Sequence, residues 1–261
     1  MSELLYEKDG PIATLTLNRP ERLNAISGPM LAALSERLIE ANGDRDVRVV
    51  ILTGAGRGFC AGLDLQDATS GAGIGGGGGM PATLDLRTAP PTVLHSLDKP
   101  VIAALNGGAA GYGMDLALGC DIRIAAKRAK LAAAFTKRGV LPESGGTWLL
   151  PRLIGWAKAA EIIFTGRTLD ADQCLELGLV NKVVADDKLL DEARALANEI
   201  AANAPLAVQG AKRMMRMALA EQFDDHVHHV YLQLLPLFQS SDFREGMKSF
   251  LEKREPKFQG R

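Results

Sequence analysis

Strand-like apolar runs that end in glycine turns recur along this chain, and they constrain its fold more than any other feature. The run 47–52 leads into Gly54-Ala55-Gly56, and the run 100–105 leads into Asn106-Gly107-Gly108. Residues 112–119 then show a helical pattern. A strand, a glycine turn and a helix in repeated order predict an α/β core.

The chain opens with a predicted β-hairpin. Residues 4–6 and 12–17 are strand-like on either side of Asp9-Gly10-Pro11. Residues 29–42 follow with helical spacing, and residues 121–125 read as a later strand. These runs add to the same α/β pattern.

Helical patterns dominate the last quarter of the chain. A helix is also predicted earlier, over residues 146–154, with a break at Pro151 because proline lacks a backbone N–H. Ser241 and Asp242, followed by Glu245, resemble a helix-start signal. The C-terminal helices are predicted at 187–203, 205–221, 222–239 and 241–254.

Composition limits the classes of partner. The 261 residues are 47% apolar and 23% charged, with a net charge of −1, so there is no electrostatic footprint for nucleic acid. The three cysteines are far apart and lack metal-ligand spacing, which favours a reducing compartment. Residues 1–20 lack a signal-peptide pattern, and no apolar run is long enough to span a bilayer. We expect a cytoplasmic protein with no nucleic-acid or membrane partner.

Residues 70–80 (SGAGIGGGGGM) are of low complexity. Such a tract cannot bury apolar surface and is typical of a surface loop. Because it follows a candidate active-site segment, it could be a lid. A solvated insertion without a function explains it equally well.

The segment from Gly54 to Asp64 is the first that could carry chemistry. Glycines after a strand can form a dinucleotide-binding turn, but Phe59 stands where that fingerprint requires its third glycine. The glycines do allow close approach of the backbone to a ligand, with an N–H such as that of Ala61 left free.

The segment from Asn106 to Asp121 is the second, and it again runs from a strand through glycines into a helix. A helix N-terminus presents unpaired N–H groups and a partial positive charge. Two such turns that face one point would form an oxyanion hole. Tight helix packing by small residues explains the segment as well.

Glu143 lies in a third segment, between Pro142 and a Ser144-Gly145-Gly146 helix start. Glu143 is either a catalytic carboxylate or an acid that stabilises the helix N-terminus.

Two other kinds of site are disfavoured. A metal site at His226, His228 and His229 is disfavoured because no nearby acid or cysteine completes a site. Cys60 has no histidine at a recognisable spacing, which disfavours a covalent nucleophile.

Together these segments resemble the enoyl-CoA hydratase/isomerase (crotonase) family over nearly the whole chain. The chain is especially similar to the branch of the epoxyphenylacetyl-CoA isomerases. The matching motifs, in order, are LNRPERLNA at 17–25, FCAGLD at 59–64, KPVIAALNG at 99–107, Cys120-Asp121, Gly145 to Thr147, FTGRT at 164–168, GLVN at 178–181, DFREGMKSFL at 242–251 and Pro256 to Phe258.

The resemblance implies a binding site for an acyl-CoA substrate. The backbone N–H groups of Ala61 and Tyr112 correspond to the oxyanion-hole donors, although Tyr112 stands where the family usually has a small residue. Arg22 and Ala25 would lie near the nucleotide of CoA, and Ala61, Gly62, Leu63 and Asp64 would line the thioester path. Phe135 and Trp148 would line the acyl pocket. No metal and no separate cofactor are implied, since CoA is part of the substrate.

The acid/base residues depart from the family pattern. The classical hydratases use two glutamates, which match Asp115 and Phe135 here, and Phe135 cannot transfer a proton. Glu143 matches the single catalytic acid of many isomerases of the family. The chain is thus either an isomerase with Glu143 as acid/base or a hydratase that uses Asp115 and Glu143. A ring-modifying isomerase is a special case of the first reading. Asp115 is either a catalytic acid or a structural cap.

The resemblance also implies the architecture. The family fold is a ClpP-like spiral of ββα units with a C-terminal helical trimerisation region, which assigns residues 1–190 to the core and 191–261 to the helices. Homotrimers or dimers of trimers are expected. A non-catalytic crotonase-like protein that binds acyl-CoA is the competitor from another class, and Asp115 and Glu143 argue against it.

Overall fold

The computed structural model describes residues 2–64 and 86–261, which form two β-sheets surrounded by helices. The strands are β1 Leu4–Asp9, β2 Ile12–Leu17, β3 Val49–Gly54, β4 Gly58–Cys60, β5 Val101–Leu105, β6 Gly108–Ala110, β7 Ile122–Ala126, β8 Lys130–Ala132, β9 Thr168–Asp170 and β10 Lys182–Val184. The larger sheet has the order β1-β2-β3-β5-β7-β10, and the smaller one β4-β6-β8-β9.

The described residues contain these α-helices in chain order: α1 Gly28–Gly43, α2 Pro90–Ser96, α3 Tyr112–Gly119, α4 Gly146–Ile154, α5 Trp156–Thr165, α6 Ala171–Glu176, α7 Leu189–Ala201, α8 Pro205–Met217, α9 Phe223–Gln239 and α10 Ser241–Glu252. The predicted α/β class is confirmed. The low-complexity tract 70–80, with its possible function as a lid, lies outside the described residues.

The N-terminal hairpin forms as predicted. Strands β1 and β2 pair antiparallel, with Leu4 opposite Leu17 and Asp9 opposite Ile12. Gly10 has a φ of +54°, a conformation that glycine adopts at little cost in the turn.

A strand–strand unit repeats along the core. Within each of the pairs β3–β4, β5–β6 and β7–β8, the first strand joins the larger sheet and the second joins the smaller one. Neighbouring first strands are parallel in the larger sheet, as are β4, β6 and β8 in the smaller sheet. The turns inside the pairs therefore lie side by side between the sheets, and α3 begins directly after β6.

The larger sheet is covered on both faces. Val50 and Leu52 of β3 belong to the apolar cluster that includes Leu34 and Leu38 of α1. Val49 and Ile51, which point to the opposite face, belong to a second cluster with the alanines of α7. A strand buried on both faces explains the uninterrupted apolar run at 49–52.

The predicted break at Pro151 is wrong, because helix α4 continues through this residue to Ile154 at the loss of the helix hydrogen bond that proline cannot donate. Helix α10 begins at Ser241, as the helix-start signal predicted, and its N-cap is Ser240, whose hydroxyl accepts from the Phe243 N–H. The Asp242 carboxylate accepts from the backbone N–H groups of Gln259 and Gly260, at 2.7 Å each, which fixes the C-terminal segment.

The C-terminal helices leave much apolar surface uncovered. No residue of α9 is buried, and exposed apolar side chains are frequent on α9 and α10. The predicted boundary at residue 190 falls inside α7, which packs on the larger sheet, and the division of the chain there stays a prediction. Within the described ranges, no helix is both long and apolar enough to cross a membrane.

Candidate active site

Two buried asparagines fix the first glycine turn. Asn24 Nδ2 donates to the carbonyl oxygens of Ala55 and Gly58, at 2.9 and 2.8 Å. Asn106 Nδ2 donates to the same Gly58 oxygen and to that of Gly56, at 3.0 Å each. Sequence reasoning did not assign this task to either residue, although Asn106 marked the end of a predicted strand. These hydrogen bonds fix the backbone of the segment that leads to Ala61.

The second glycine turn packs directly on the first. A Cβ on Gly113 would lie 2.2 Å from the Cys60 carbonyl oxygen, so only glycine fits there. Gly62 has a φ of +101°, and a Cβ on it would lie 2.9 Å from the Ala110 oxygen and 3.7 Å from the Tyr112 nitrogen. The segment after β4 and the start of α3 are therefore in contact, as two turns facing one point require.

The free N–H of the first turn belongs to Leu63 and not to Ala61, which corrects the prediction. The Ala61 N–H donates to the Leu23 carbonyl at 3.0 Å. Leu63 and Ile26 form a parallel bridge. In it the Gly62 carbonyl accepts from the Ile26 N–H at 2.8 Å, and the Asp64 N–H donates to the Ile26 carbonyl at 2.9 Å. The Leu63 N–H points away from that bridge, and no acceptor for it exists among residues 2–64 and 86–261.

The second free N–H is that of Tyr112, as predicted. Tyr112 is the first residue of α3, after Gly111 with a φ of 53°, so its N–H has no partner within the helix. It has no other acceptor in the part of the chain that the structure describes. A Cβ on Gly62 would lie 3.7 Å from this nitrogen, and Leu63 follows Gly62, so the two free N–H groups come from adjacent backbone segments. Such a pair can stabilise a negative oxygen.

Asp115 lies one turn into α3 and is buried, with 2% of the residue exposed. Its Oδ2 atom accepts from the backbone N–H groups of Ser144 and Gly146, at 3.2 Å each. Burial raises the pKa of Asp115 to about 7; the Gly146 N–H lowers it, the nearby Glu143 raises it, and the Ser144 N–H lowers it. Asp115 therefore caps the start of α4 and titrates near neutral pH.

Glu143 and Asp115 line one cavity of about 360 Å³. The Glu143 side chain is exposed at this cavity rather than buried, and it makes no hydrogen bond or ion pair with any described residue. The remaining walls come mainly from α2, α3 and α4 and are largely apolar. They are formed by Leu86, Ala89, Pro91, Thr92, Leu94, His95, Leu116, Gly119, Ser144, Gly145, Trp148 and Leu149.

The two aromatic residues predicted for the acyl pocket are placed differently. Trp148 lines the cavity, with the Arg152 guanidinium 4.0 Å from its ring centroid and the His95 ring 5.3 Å away. Phe135 is buried and is not among the described residues that line the cavity. Its ring lies 3.9 Å from where a Cβ on Gly111 would be, at the start of α3.

An ion-pair cluster supports the segment predicted to bind CoA. The buried Asp64 carboxylate pairs with Arg19 at 3.1 Å and with Arg22 at 3.0 Å. Arg19 also donates to the Ala25 carbonyl at 2.9 Å. Asp64 thus joins the segment 19–25 to the turn at 61–64. Arg19 was not singled out from the sequence, although it lies in the first matching motif.

The structure adds one contact to the histidine cluster. Glu221, which sequence reasoning overlooked, lies 2.9 Å from both His226 Nδ1 and His229 Nδ1. No group of three metal-ligating side chains occurs in the described ranges.

Cys60 is fully buried, and burial raises the pKa of its thiol to about 12, which argues against a nucleophilic thiolate.

Residues 7–261 match the family model described as enoyl-CoA hydratase/isomerase. The 1,2-epoxyphenylacetyl-CoA isomerase of Escherichia coli (strain K12) is 42% identical, and the match covers 100% of both chains. The short-chain-enoyl-CoA hydratase of Clostridium acetobutylicum is 36% identical, over 98% of this chain and 97% of that protein.

Solved structures show the same likeness. The enoyl-CoA hydratase from Mycobacterium tuberculosis H37Rv has a TM-score of 0.91 and 34% identity, and the match covers 100% of each chain. The enoyl-CoA hydratase from Bacillus anthracis has a TM-score of 0.90 and 34% identity, over 99% of this chain and 100% of that one. The likeness thus extends over the whole fold and is not confined to the site.

Proposed function

Because this chain belongs to the enoyl-CoA hydratase/isomerase family, we propose that it moves a double bond along an enoyl-CoA, with Glu143 as the group that transfers the proton. The crotonase fold, the enzyme class and the CoA thioester substrate follow from the family membership. The choice between isomerase and hydratase and the functions of single residues form the proposal.

The thioester oxygen binds between the N–H groups of Leu63 and Tyr112. Removal of a proton next to the thioester carbonyl places negative charge on this oxygen. Two preorganised N–H donors stabilise that charge at the moment it develops, and the loss of one such donor typically lowers the rate by about a hundred- to a thousand-fold. The adjacent backbone segments at Gly62 and Tyr112 support this arrangement.

The isomerase proposal rests on the difference in hydrogen bonding between the carboxyl groups of Asp115 and Glu143. Asp115 is held by two backbone N–H groups, whereas Glu143 has no hydrogen-bond partner among the described residues and lies at the same cavity. A free carboxylate can take a proton from one carbon of the substrate and return it to another. Phe135 is apolar where the hydratases have a second glutamate, so a single acid/base is expected.

Hydration of a 2-enoyl-CoA is the second candidate. It is favoured by the raised pKa of Asp115, about 7, and by the shared cavity. A carboxyl group that titrates near neutral pH can act as an acid while Glu143 orients water.

The substrate supplies the CoA group, and no separate cofactor is proposed. Arg22 is the basic residue that we assign to the nucleotide of CoA, and Ala25 lies next to it on the segment that Asp64 anchors. The Escherichia coli relative is named as an isomerase of 1,2-epoxyphenylacetyl-CoA, and this supports a ring-bearing acyl group as a special case of the proposed substrate.

The assembly that we propose is a homotrimer or a dimer of trimers. Its interface would use the apolar side chains of α9 and α10, since Tyr231, Leu232, Leu235, Phe250 and Leu251 are all more than half exposed in the single chain. A cytoplasmic location is also proposed, and the three free cysteines support it.

The test is a comparison of two substrates. The wild-type protein should isomerise a 3-enoyl-CoA to the 2-enoyl-CoA faster than it hydrates the 2-enoyl-CoA. A higher kcat/KM for hydration would favour the second candidate. Binding of both thioesters without turnover of either would contradict both.

A further inference from the structure

The Tyr112 side chain has no task in the proposal above, where only its backbone N–H is used. The residue is 5% exposed, and its hydroxyl oxygen is buried without a hydrogen-bond partner among the described residues. A buried polar group without a partner costs about 1–3 kcal/mol. Such a group calls for an explanation, and a bound substrate that supplies the partner is one.

Tyr112 lies on the same face of α3 as two residues of the cavity wall, although Tyr112 itself is not among the described residues that line the cavity. Tyr112 precedes Asp115 by three residues and Leu116 by four, and both of those line the cavity. Residues at this spacing share one face of a helix. Since side chains lean towards the helix N-terminus, the phenol lies on the side of Asp115 where the thioester is proposed to bind.

The surroundings keep the phenol neutral. Burial raises its pKa above the ordinary value, and the nearby Cys60, Glu143 and Asp115 raise it further. A neutral phenol is a hydrogen-bond donor that needs an acceptor. Its side chain departs from the same residue whose N–H holds the thioester oxygen. An acceptor one phenol length away therefore belongs to the acyl chain and not to the thioester.

We propose that the Tyr112 hydroxyl donates a hydrogen bond to an oxygen atom on the acyl group and so selects oxygen-bearing acyl-CoA thioesters over hydrocarbon ones. Hydroxyl, ether and epoxide oxygens all provide the acceptor. The inference rests on the proposed thioester position at Leu63 and Tyr112. It does not depend on which carboxylate moves the proton.

The test uses Tyr112→Phe, which removes only the hydroxyl and keeps the backbone N–H. Tyr6→Phe is the matched control, because Tyr6 has the other buried hydroxyl without a partner in the described part of the chain. The probes are hexanoyl-CoA and three analogues that carry a hydroxyl on the fourth, fifth or sixth carbon. None has a double bond to isomerise, so calorimetry measures binding even if the proposed reaction is wrong.

Wild type and Tyr6→Phe should bind at least one hydroxylated probe about tenfold more tightly than hexanoyl-CoA. Tyr112→Phe should bind that hydroxylated probe and hexanoyl-CoA with equal affinity. The melting temperature of Tyr112→Phe should match or exceed that of the wild type. The inference is overturned if the wild type shows no preference, which would leave water as the partner, or if Tyr112→Phe keeps the preference. A melting temperature well below the wild type's would also overturn it, because the phenol would then have a partner in the protein.

Discussion

Asp115 and Gly146 fit each other without spare room. Asp115 Oδ2 accepts from the Gly146 N–H at 3.2 Å, and a Cβ on Gly146 would lie 2.1 Å from Asp115 Oδ1. This contact joins the side chain of one helix to the start of the next. It holds in place the segment that carries Glu143, three residues before Gly146.

The first prediction concerns Gly146→Ala. The added methyl group should push the Asp115 carboxylate away and destabilise the protein by about 1–3 kcal/mol, as overpacking does. It should also lower kcat, because Glu143 moves with the segment. Chemical denaturation and steady-state kinetics measure the two effects.

Gly43→Ala is the control for this change, because a Cβ at Gly43 would meet nothing within 4 Å. It should leave stability and kcat close to those of the wild type. Equal behaviour of the two alanine variants would mean that the contact between Asp115 and Gly146 does not constrain the site.

The second prediction concerns the pH dependence of stability. The pKa of Asp115 is raised to about 7 in the folded chain, above the ordinary value of 3.8, so the folded state binds more protons between these values. Stability should therefore fall as the pH rises through this window, by at most about 1.4 kcal/mol per pH unit, and level off above it. The free energy of unfolding of the wild type, compared with that of Asp115→Asn from pH 5 to pH 8, measures this effect. A difference that does not change with pH would contradict the assignment.

The third prediction concerns Asn24→Ala. Asn24 is fully buried, has a φ of 56°, donates to Ala55 and Gly58, and accepts from the Arg19 N–H at 2.9 Å. Its loss should leave buried groups unpaired and strain the alanine, at a cost of at least about 3 kcal/mol.

The same variant should raise KM for the thioester, because the Leu23 carbonyl next to it holds the Ala61 N–H. Asn18→Ala, which removes one bond to the Ser2 carbonyl, is the comparison and should change stability by about 0.5 kcal/mol or less. If both variants unfold at the same denaturant concentration, Asn24 does not fix the turn.

The fourth prediction concerns assembly. Leu232→Arg with Leu235→Arg places two charges on the exposed apolar face of α9. The double variant should elute as a monomer in size-exclusion chromatography with light scattering, whereas the wild type should have the mass of a trimer or hexamer. Ile39→Arg, at a half-exposed position on α1, should leave the mass unchanged. Retention of the wild-type mass by the double variant would place the interface elsewhere.

Sequence reasoning found the α/β core and both glycine turns because apolar runs and glycines are local signals. It assigned the first donor to Ala61, where the structure has Leu63, since the choice depends on which N–H the bridge with Ile26 leaves free. Contacts between segments distant in the sequence, such as that of Ile26 with Leu63, are not encoded in local spacing. The contact of Glu221 with His226 and His229 is local, and it was missed because the acid lies before the first residue of α9.

Catalysis by Glu143 is the central claim, and the rate of 3-enoyl-CoA isomerisation by Glu143→Gln tests it most directly. Asp115→Asn is the paired variant, and both melting temperatures are measured. Glu143→Gln should lower kcat by about a hundred- to ten-thousand-fold with its melting temperature unchanged, because the carboxylate has no hydrogen-bond partner among the described residues to lose. Asp115→Asn should retain far more of the isomerase activity. A normal isomerisation rate in Glu143→Gln would contradict the account.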